Sequence, residues 1–495
     1  MNKTIKQLLV SLMLVSGTCM GAISTTDTNR SFMSMQSSRD GATHKAYMPV
    51  LAHAKKNCGD DKMDKKGKKA DCDDENIGLS LMFTGFYNRT KDGGMAKYLG
   101  VNGSGAVTFA GTANTDITTN NSVSVNSIFR AATTGTSAGA TIDRTLTLNP
   151  RSTSFGGHLD AVVDLNSMVE GLSFWAGTAV VRRSNELNAA FAGDVTDATA
   201  GVTLASYLSG TKQAGSAALN YAKIDTNKRT KTGLANVDLQ LAYKLVEKEK
   251  YSMAAYIEVM LPTGNKSEAK DLFEALVGDR NWRVGGGVNF DCSCFENDNG
   301  DGKASFRGDV KAQYGMKADQ LRTLDVAGVA WAKHLQTVTG STTQVLAANL
   351  VPAATALTQN VKVDPRWMVK ALASFMYQYK EMAYEAGYQL FAKQEENNTL
   401  VTPWTNGSVY LLQPGALTTQ TPAANAASFK EIKDTDLVMN VDSQVWHTFF
   451  ATIGYVKTDA EHPWSVALGG DYNFSNNAAR APRSWDVYGK VGVNF

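Results

Sequence analysis

His158 and Asp160 stand two residues apart in "STSFGGHLDAVVDLN", so an extended chain puts both on one face. A histidine held by a carboxylate is half of a hydrolytic site, and Ser154 shares that face. No nucleophile motif accompanies the pair, and the chain has only six histidines. The plainer reading of His158 is a polar residue solvating a wet surface. Four thiols, Cys58, Cys72, Cys292 and Cys294, form a second set. In an oxidising compartment they pair as Cys58–Cys72, or as bonds tying the early cysteines to a turn at 292–303. Four thiolates also suit zinc, although this spacing is no familiar zinc pattern. "NDNGDG" has part of a calcium loop, but Gly308 stands where the closing Glu is needed, so no metal is expected.

The largest chemical set is a row of charges placed at every second residue. Asp160, Asp238, Glu258, Asp309, Glu385, Asp471 and Asp486 alternate with apolar neighbours. So do Lys244, Arg283, Arg307, Lys311, Lys370 and Lys490, with Asp164 and Lys393 at segment ends. Both signs on one face suit water and small solutes, and neighbouring ion pairs can also cross-link such a face.

The elements that carry these charges are strands of period two. Twelve segments alternate: about 77–89, 153–165, 171–182, 233–245, 251–261, 282–291, 304–315, 366–379, 382–393, 445–457, 464–474 and 485–495. "NVDLQLAYKL" sets Val237, Leu239, Leu241, Tyr243 and Leu245 against Asp238, Gln240 and Lys244. The segments exceed the five or six residues usual in soluble sheets and match the roughly nine to eleven that cross a bilayer at a tilt. All ten prolines fall outside them, as a residue without an N–H must in a ladder. Connections alternate strictly between long and short. Trp282, Trp367, Trp446, Trp464 and Trp485 mark segment starts, and Phe290, Tyr379, Tyr455, Phe474 and Phe495 mark other ends. Two interfacial aromatic girdles have this form. Around Trp446 the outward choice lies between Phe449 and Phe450, and a bulge there resolves it.

The expected fold is therefore all-β: a transmembrane antiparallel up-and-down barrel of about 12 strands over 77–495. Fourteen strands result if "NSVSVNSIF" and "TIDRTLTLNP" pair within the first long loop. Residues 1–22 read as an export signal, with Lys3 and Lys6 before an apolar stretch and small residues. Residues 23–76, dense in both charges, read as a polar segment. With 49 basic and 47 acidic residues, net charge suggests no nucleic-acid partner. No cofactor motif stands out.

These features resemble the transmembrane β-barrels of Gram-negative-type outer membranes, through the export signal and the final "WDVYGKVGVNF". Trp485, Val487, Val491, Val493 and Phe495 resemble the terminal signal read by the barrel-assembly machinery, with Gly489 departing from it. The resemblance implies outer-membrane lipid around the barrel, short periplasmic turns and long external loops. A narrower likeness joins "YIEVMLPTGN" to "WRVGGGVNF". It is similar to a strand–loop–strand of barrels linked to uptake of aromatic and other apolar compounds. The expected function is a porin-like channel for passive passage of small solutes, including apolar ones, and no enzyme. The alternatives are a surface structural or adhesion barrel with a closed lumen, and a barrel hydrolase. "DVAGVAWAKHLQTVTGSTTQVLAANLVPAATALTQ" is apolar enough to fold inward or against another loop.

Overall fold

The computed structural model describes residues 78–91, 95, 106–110, 122–124, 143–192, 196–197, 202–212, 217–248, 250–297, 301–329, 331–340, 350–412, 429–458, 460–475 and 482–495. The export signal, the polar segment, Cys58 and Cys72 lie outside the described residues.

Twelve strands close an antiparallel barrel. They are β1 (Leu79–Thr90), β2 (Arg151–Asp164), β3 (Leu172–Glu186), β4 (Arg229–Lys248), β5 (Tyr251–Leu261) and β6 (Arg283–Glu296). The second half is β7 (Gly302–Gly315), β8 (Arg366–Tyr379), β9 (Met382–Lys393), β10 (Gln444–Lys457), β11 (Trp464–Phe474) and β12 (Ser484–Asn494). Each strand pairs with its neighbours in the chain, and β12 returns to β1, from Ser80 opposite Asn494 to Thr90 opposite Ser484. The Phe495 N–H extends this seam by donating to the Leu79 carbonyl at 2.8 Å. No barrel strand contains proline.

Alternation decides the faces. Ile257 is 64 % exposed and the adjacent Glu258 is 1 % exposed. Phe83, Phe155, Leu159, Phe375, Phe449, Leu468, Val487 and Val491 are exposed on the outer face in the same way. A soluble protein does not leave so continuous an apolar surface in water. Aromatic pairs stand at both rims: Tyr87 with Trp485 at 5.5 Å and Tyr314 with Trp367 at 5.3 Å, against Tyr455 with Trp464 at 5.5 Å. Trp446 departs from the expected girdle. It faces inward, buried against Met368 and Phe391. The reason is register: β10 pairs without a shift on both sides, so Trp446 and Phe450 turn inward and Phe449 outward with no bulge.

The count is twelve. Ser122–Ser124 and Asp143–Thr147, the segments that made fourteen conceivable, join Ala106–Ala110 and Ala190–Ala192 in a separate four-stranded sheet. β1 and β2 pair directly from Leu79 opposite Val163 to Arg89 opposite Thr153, which leaves no edge for two more strands. Cys292 and Cys294 lie within β6, because β6 keeps pairing with β7 up to Glu296 opposite Lys303. The turn begins only after them, and neither is in a disulfide among the described residues.

At the long-loop end the connections form a cap with its own apolar core. Leu146, Tyr207, Leu272, Trp331, Leu357 and Leu411 are buried together although they come from five different loops. Short strands tie the loops, such as Ala318–Thr323 with Thr358–Val363 and Thr399–Leu400. Inside the cap, Lys333 Nζ meets Asp325 Oδ1 at 2.5 Å, and the Tyr207 hydroxyl donates to the His334 carbonyl at 2.9 Å. The described residues of the apolar 325–359 stretch thus pack against other loops. The segment that turns inward is a different one, 262–282. Its Val277 is buried among Phe86, Ala179, Val181, Ala235 and Tyr488 of the barrel. A bulge between Leu234 and Val237 turns both Ala235 and Asn236 toward it. Asn236 Oδ1 accepts the Asp279 N–H at 2.7 Å, and the Thr263 hydroxyl donates to the Ala235 carbonyl. No helix among the described residues is long and apolar enough to cross a membrane.

Candidate functional site

The inner face divides into two unlike walls. On the wall from β9 through β12 to β3 the charges are largely sealed. Lys490 is 1 % exposed and lies over the Tyr488 ring at 5.2 Å. Glu385, Asp160, Asp471 and Asp486 all act on it electrostatically. The Tyr488 and Thr452 hydroxyls are 2.7 Å apart. His158 Nδ1 is 3.0 Å from Asp160 Oδ2, while Asp160 Oδ1 accepts from the Trp175 indole at 3.1 Å. The carboxylate that would orient a catalytic histidine is thereby shared with a tryptophan in the same wall. Toward the short-turn end this wall becomes apolar, with Met82, Val162, Trp175, Ala383, Val456 and Ala467 in contact.

On the wall from β4 to β8 several charges keep partial exposure, although Glu258, Arg283 and Lys370 are buried. Asp238, Asp291, Arg307, Asp309 and Lys311 keep partial exposure, and Asn289 is exposed on the inner face. Lys311 Nζ binds both oxygens of Glu258, at 2.8 and 2.9 Å. Lys370 stands directly opposite Lys311 in the ladder and is buried beside it. Two ammonium groups side by side repel, and Glu258 offsets that repulsion. The Tyr256 hydroxyl donates to both Asp309 oxygens, at 3.0 and 2.9 Å. Gly287 makes room for that bond, since a Cβ there would fall 2.5 Å from the Tyr256 hydroxyl. Nearer the short-turn end, Arg307 Nε meets Asp291 at 2.6 Å, and Lys244 bonds Glu247 at 2.8 Å. Carboxylates and cations therefore follow one another along this wall.

This wall leads up to a cleft of about 90 Å³ at the mouth, under the cap. Arg183 (β3), Arg280, Arg283 (β6), Arg322 and Lys393 (β9) line it with Glu274, Asp279 and Glu396. Glu396 accepts from Arg322 at 2.7 Å, from Lys393 at 2.8 Å and from the Asn398 amide at 2.9 Å. Burial alone would raise its carboxyl, yet the Arg322 and Lys393 charges hold it well below the usual carboxylate range. Arg283 binds Asp279. Arg280 is pulled down to about 10, first by burial and then by the neighbouring Arg322 charge.

Of the positions that sequence reading expects on one inner face, Asp160, Asp238, Glu258, Arg283, Arg307, Asp309, Lys311, Lys370, Glu385, Asp471, Asp486 and Lys490 are each buried or partly buried. That reading did not find that Arg283 and Lys393 share a cleft with Arg183, Arg280, Arg322 and Glu396. The last three of these lie in loops, where no alternation marks them. "GDRNWR", with two arginines about a tryptophan at a strand entry, was the available signal.

No family model matches the chain, and no curated protein matches it. Solved structures do resemble it in outline. The transport unit of the autotransporter AIDA-I from Escherichia coli is 9 % identical, over 86 % of this chain and 92 % of that one, with a TM-score of 0.30. The toluene transporter TodX of Pseudomonas putida is 7 % identical over 85 % and 89 %, with a TM-score of 0.33. The toluene transporter TbuX of Ralstonia pickettii is 9 % identical over 85 % and 89 %, with a TM-score of 0.32. Likenesses of this size carry no argument about solute or activity, which rest on the lumen itself.

Proposed function

We propose that this protein is an outer-membrane channel through which small solutes pass passively along the β4–β8 wall. The observation that carries the reading is the partly exposed line of charges from Arg307 and Asp291 through Asp309 and Lys311 to the mouth cleft. A barrel whose lumen served only as packing would have no use for hydrated charges on one wall. The exposed apolar band and its rim aromatics support outer-membrane lipid as the surrounding solvent. Residues 1–22 supply export, the short turns face the periplasm, and the β12 set ending in Phe495 engages the barrel-assembly machinery. The 262–282 segment constricts the passage, and the charged wall reads as its filter. Apolar compounds, which the local sequence likeness implied, are one solute class to assay beside charged ones.

The test is reconstitution of the folded protein in planar bilayers and in liposomes. Discrete conductance steps and swelling in small solutes are expected. Neither appearing would leave the second reading, a structural barrel with a closed lumen. One observation favours that reading: the apolar packing of Met82, Trp175 and Val456 at the short-turn end. A hydrolase reading rests on His158. Unchanged proteolytic and lipase activity in His158→Ala would remove it.

A further inference from the structure

The mouth cleft holds more cationic charge than its own carboxylates answer. Five cationic side chains line it against three acidic ones. Glu274 accepts from the Ser267 hydroxyl at 2.6 Å and the Lys270 N–H at 2.9 Å, and acts on Arg280 only through space. Asp279 is taken by Arg283, and Glu396 by Arg322 and Lys393. Arg280 makes no ion pair among the described residues. Its Nε donates to the Asn265 carbonyl at 3.1 Å and its Nη1 to Gln320 Oε1 at 3.3 Å, an oxygen that also accepts from Arg322 at 3.2 Å. The Arg283 side chain is only 8 % exposed, and its Nε has no hydrogen-bond partner. A guanidinium hydrogen-bonded to neutral oxygens beside a second guanidinium, with Glu274 and Glu396 acting on it only through space, is a costly arrangement where water is scarce.

The arrangement is relieved by a small anion. Guanidinium N–H groups form a planar fork that fits two oxygens of a carboxylate or a phosphate. Glu396 already shows the fit, since its own carboxylate sits between Arg322 and Lys393. We propose that the cleft is an entry subsite for small solutes bearing an oxyanion group, carboxylate or phosphate, with Arg280 as its unpaired donor and Arg283, held by Asp279, beside it. This rests on the channel reading for its purpose, but not for its chemistry. Glu396 is then a resident competitor, which holds the cations in place when no solute is bound.

The experiment is calorimetric titration of the folded, full-length protein in detergent with inorganic phosphate, succinate and glucose, alongside bilayer recording. Saturable binding of phosphate or succinate is expected, with glucose silent. Arg280→Gln should weaken the anion about tenfold, the size expected for one charge-assisted pair. Glu396→Gln should tighten it, because the competitor is gone. Heat-dependent gel migration checks that each variant is folded. Binding of phosphate but not succinate, or the reverse, settles which oxyanion the site takes. No saturable anion binding, or equal affinity in the wild type and a folded Arg280→Gln, overturns the proposal. Binding without conductance would sink the channel reading and leave the subsite standing. Conductance without anion binding would do the opposite.

Discussion

At the residue scale, the cap depends on two buried polar groups. Lys333 and Asp325 are 2 % and 5 % exposed in their side chains and answer one another. Asp325→Ala would leave the ammonium buried and alone, at about 3–5 kcal/mol. Faster hydrogen exchange in the cap strands, with the barrel unchanged, is the expected readout. His334 has its Nε2 2.9 Å from the Ala222 carbonyl. Burial first, and then the Lys333 charge, lower its pKa to about 3, against a contrary pull from that carbonyl. The unfolded histidine binds a proton near pH 6.5, while the folded one resists until about pH 3. The unfolded cap therefore holds more protons between those values, and stability falls as pH drops through that window. Limited proteolysis of the loops should rise from about pH 6.5 toward pH 3. A flat profile across that window would exclude His334 as a contributor.

At the element scale, neighbouring residues of one strand meet different solvents. Ile257 and Glu258 of β5 face lipid and lumen respectively. Ile257 lies near mid-height, opposite Leu241 and Gly286. Ile257→Lys should cost about 2–4 kcal/mol, as a charge placed in hydrocarbon. Guanidinium unfolding in lipid vesicles reads that directly. Glu258→Gln should leave the barrel folded but remove the counter-charge of Lys311, beside which Lys370 stands. The expected outcome is a reversal potential shifted toward anions in a salt gradient. Equal effects of the two substitutions on stability would contradict the assignment of faces.

At the scale of the whole molecule, the segment that turns inward belongs to a loop rather than to the strands. Val277 brings 262–282 against four barrel strands, and the cap holds the same loop from above through Leu272 and Phe273. Shortening the loop should raise single-channel conductance while the heat-dependent gel shift persists. Unaltered conductance would place the constriction elsewhere, with the apolar contact of Met82 and Val456 the next place to look.

Much of this was legible in the chain. Tyr251–Leu261, Arg366–Tyr379, Met382–Lys393 and Trp464–Phe474 are bounded as the alternation marks them. The parity of long and short connections gives the meander, since antiparallel neighbours need only turns. Period-two patterning is local: each strand carries its own record of which side meets apolar solvent. Trp446 escaped because an aromatic suits a rim and a filled lumen equally, and only the register of β9 and β10 chooses. The inward loop and the cap core escaped because their partners lie in other loops. Leu272 meets Trp331 and Leu411 only once the barrel has closed and gathered the loops at one end. The same holds for the mouth. Arg280, Arg283, Arg322, Lys393 and Glu396 carry no common spacing, and three loops and two strands must converge before their charges share one cleft. The sequence by itself thus determined the barrel, its two faces and its strand order. The tertiary structure decided which inward charges stay partly exposed, which loop turns inward and where cations collect, because those depend on contacts between segments far apart in the chain.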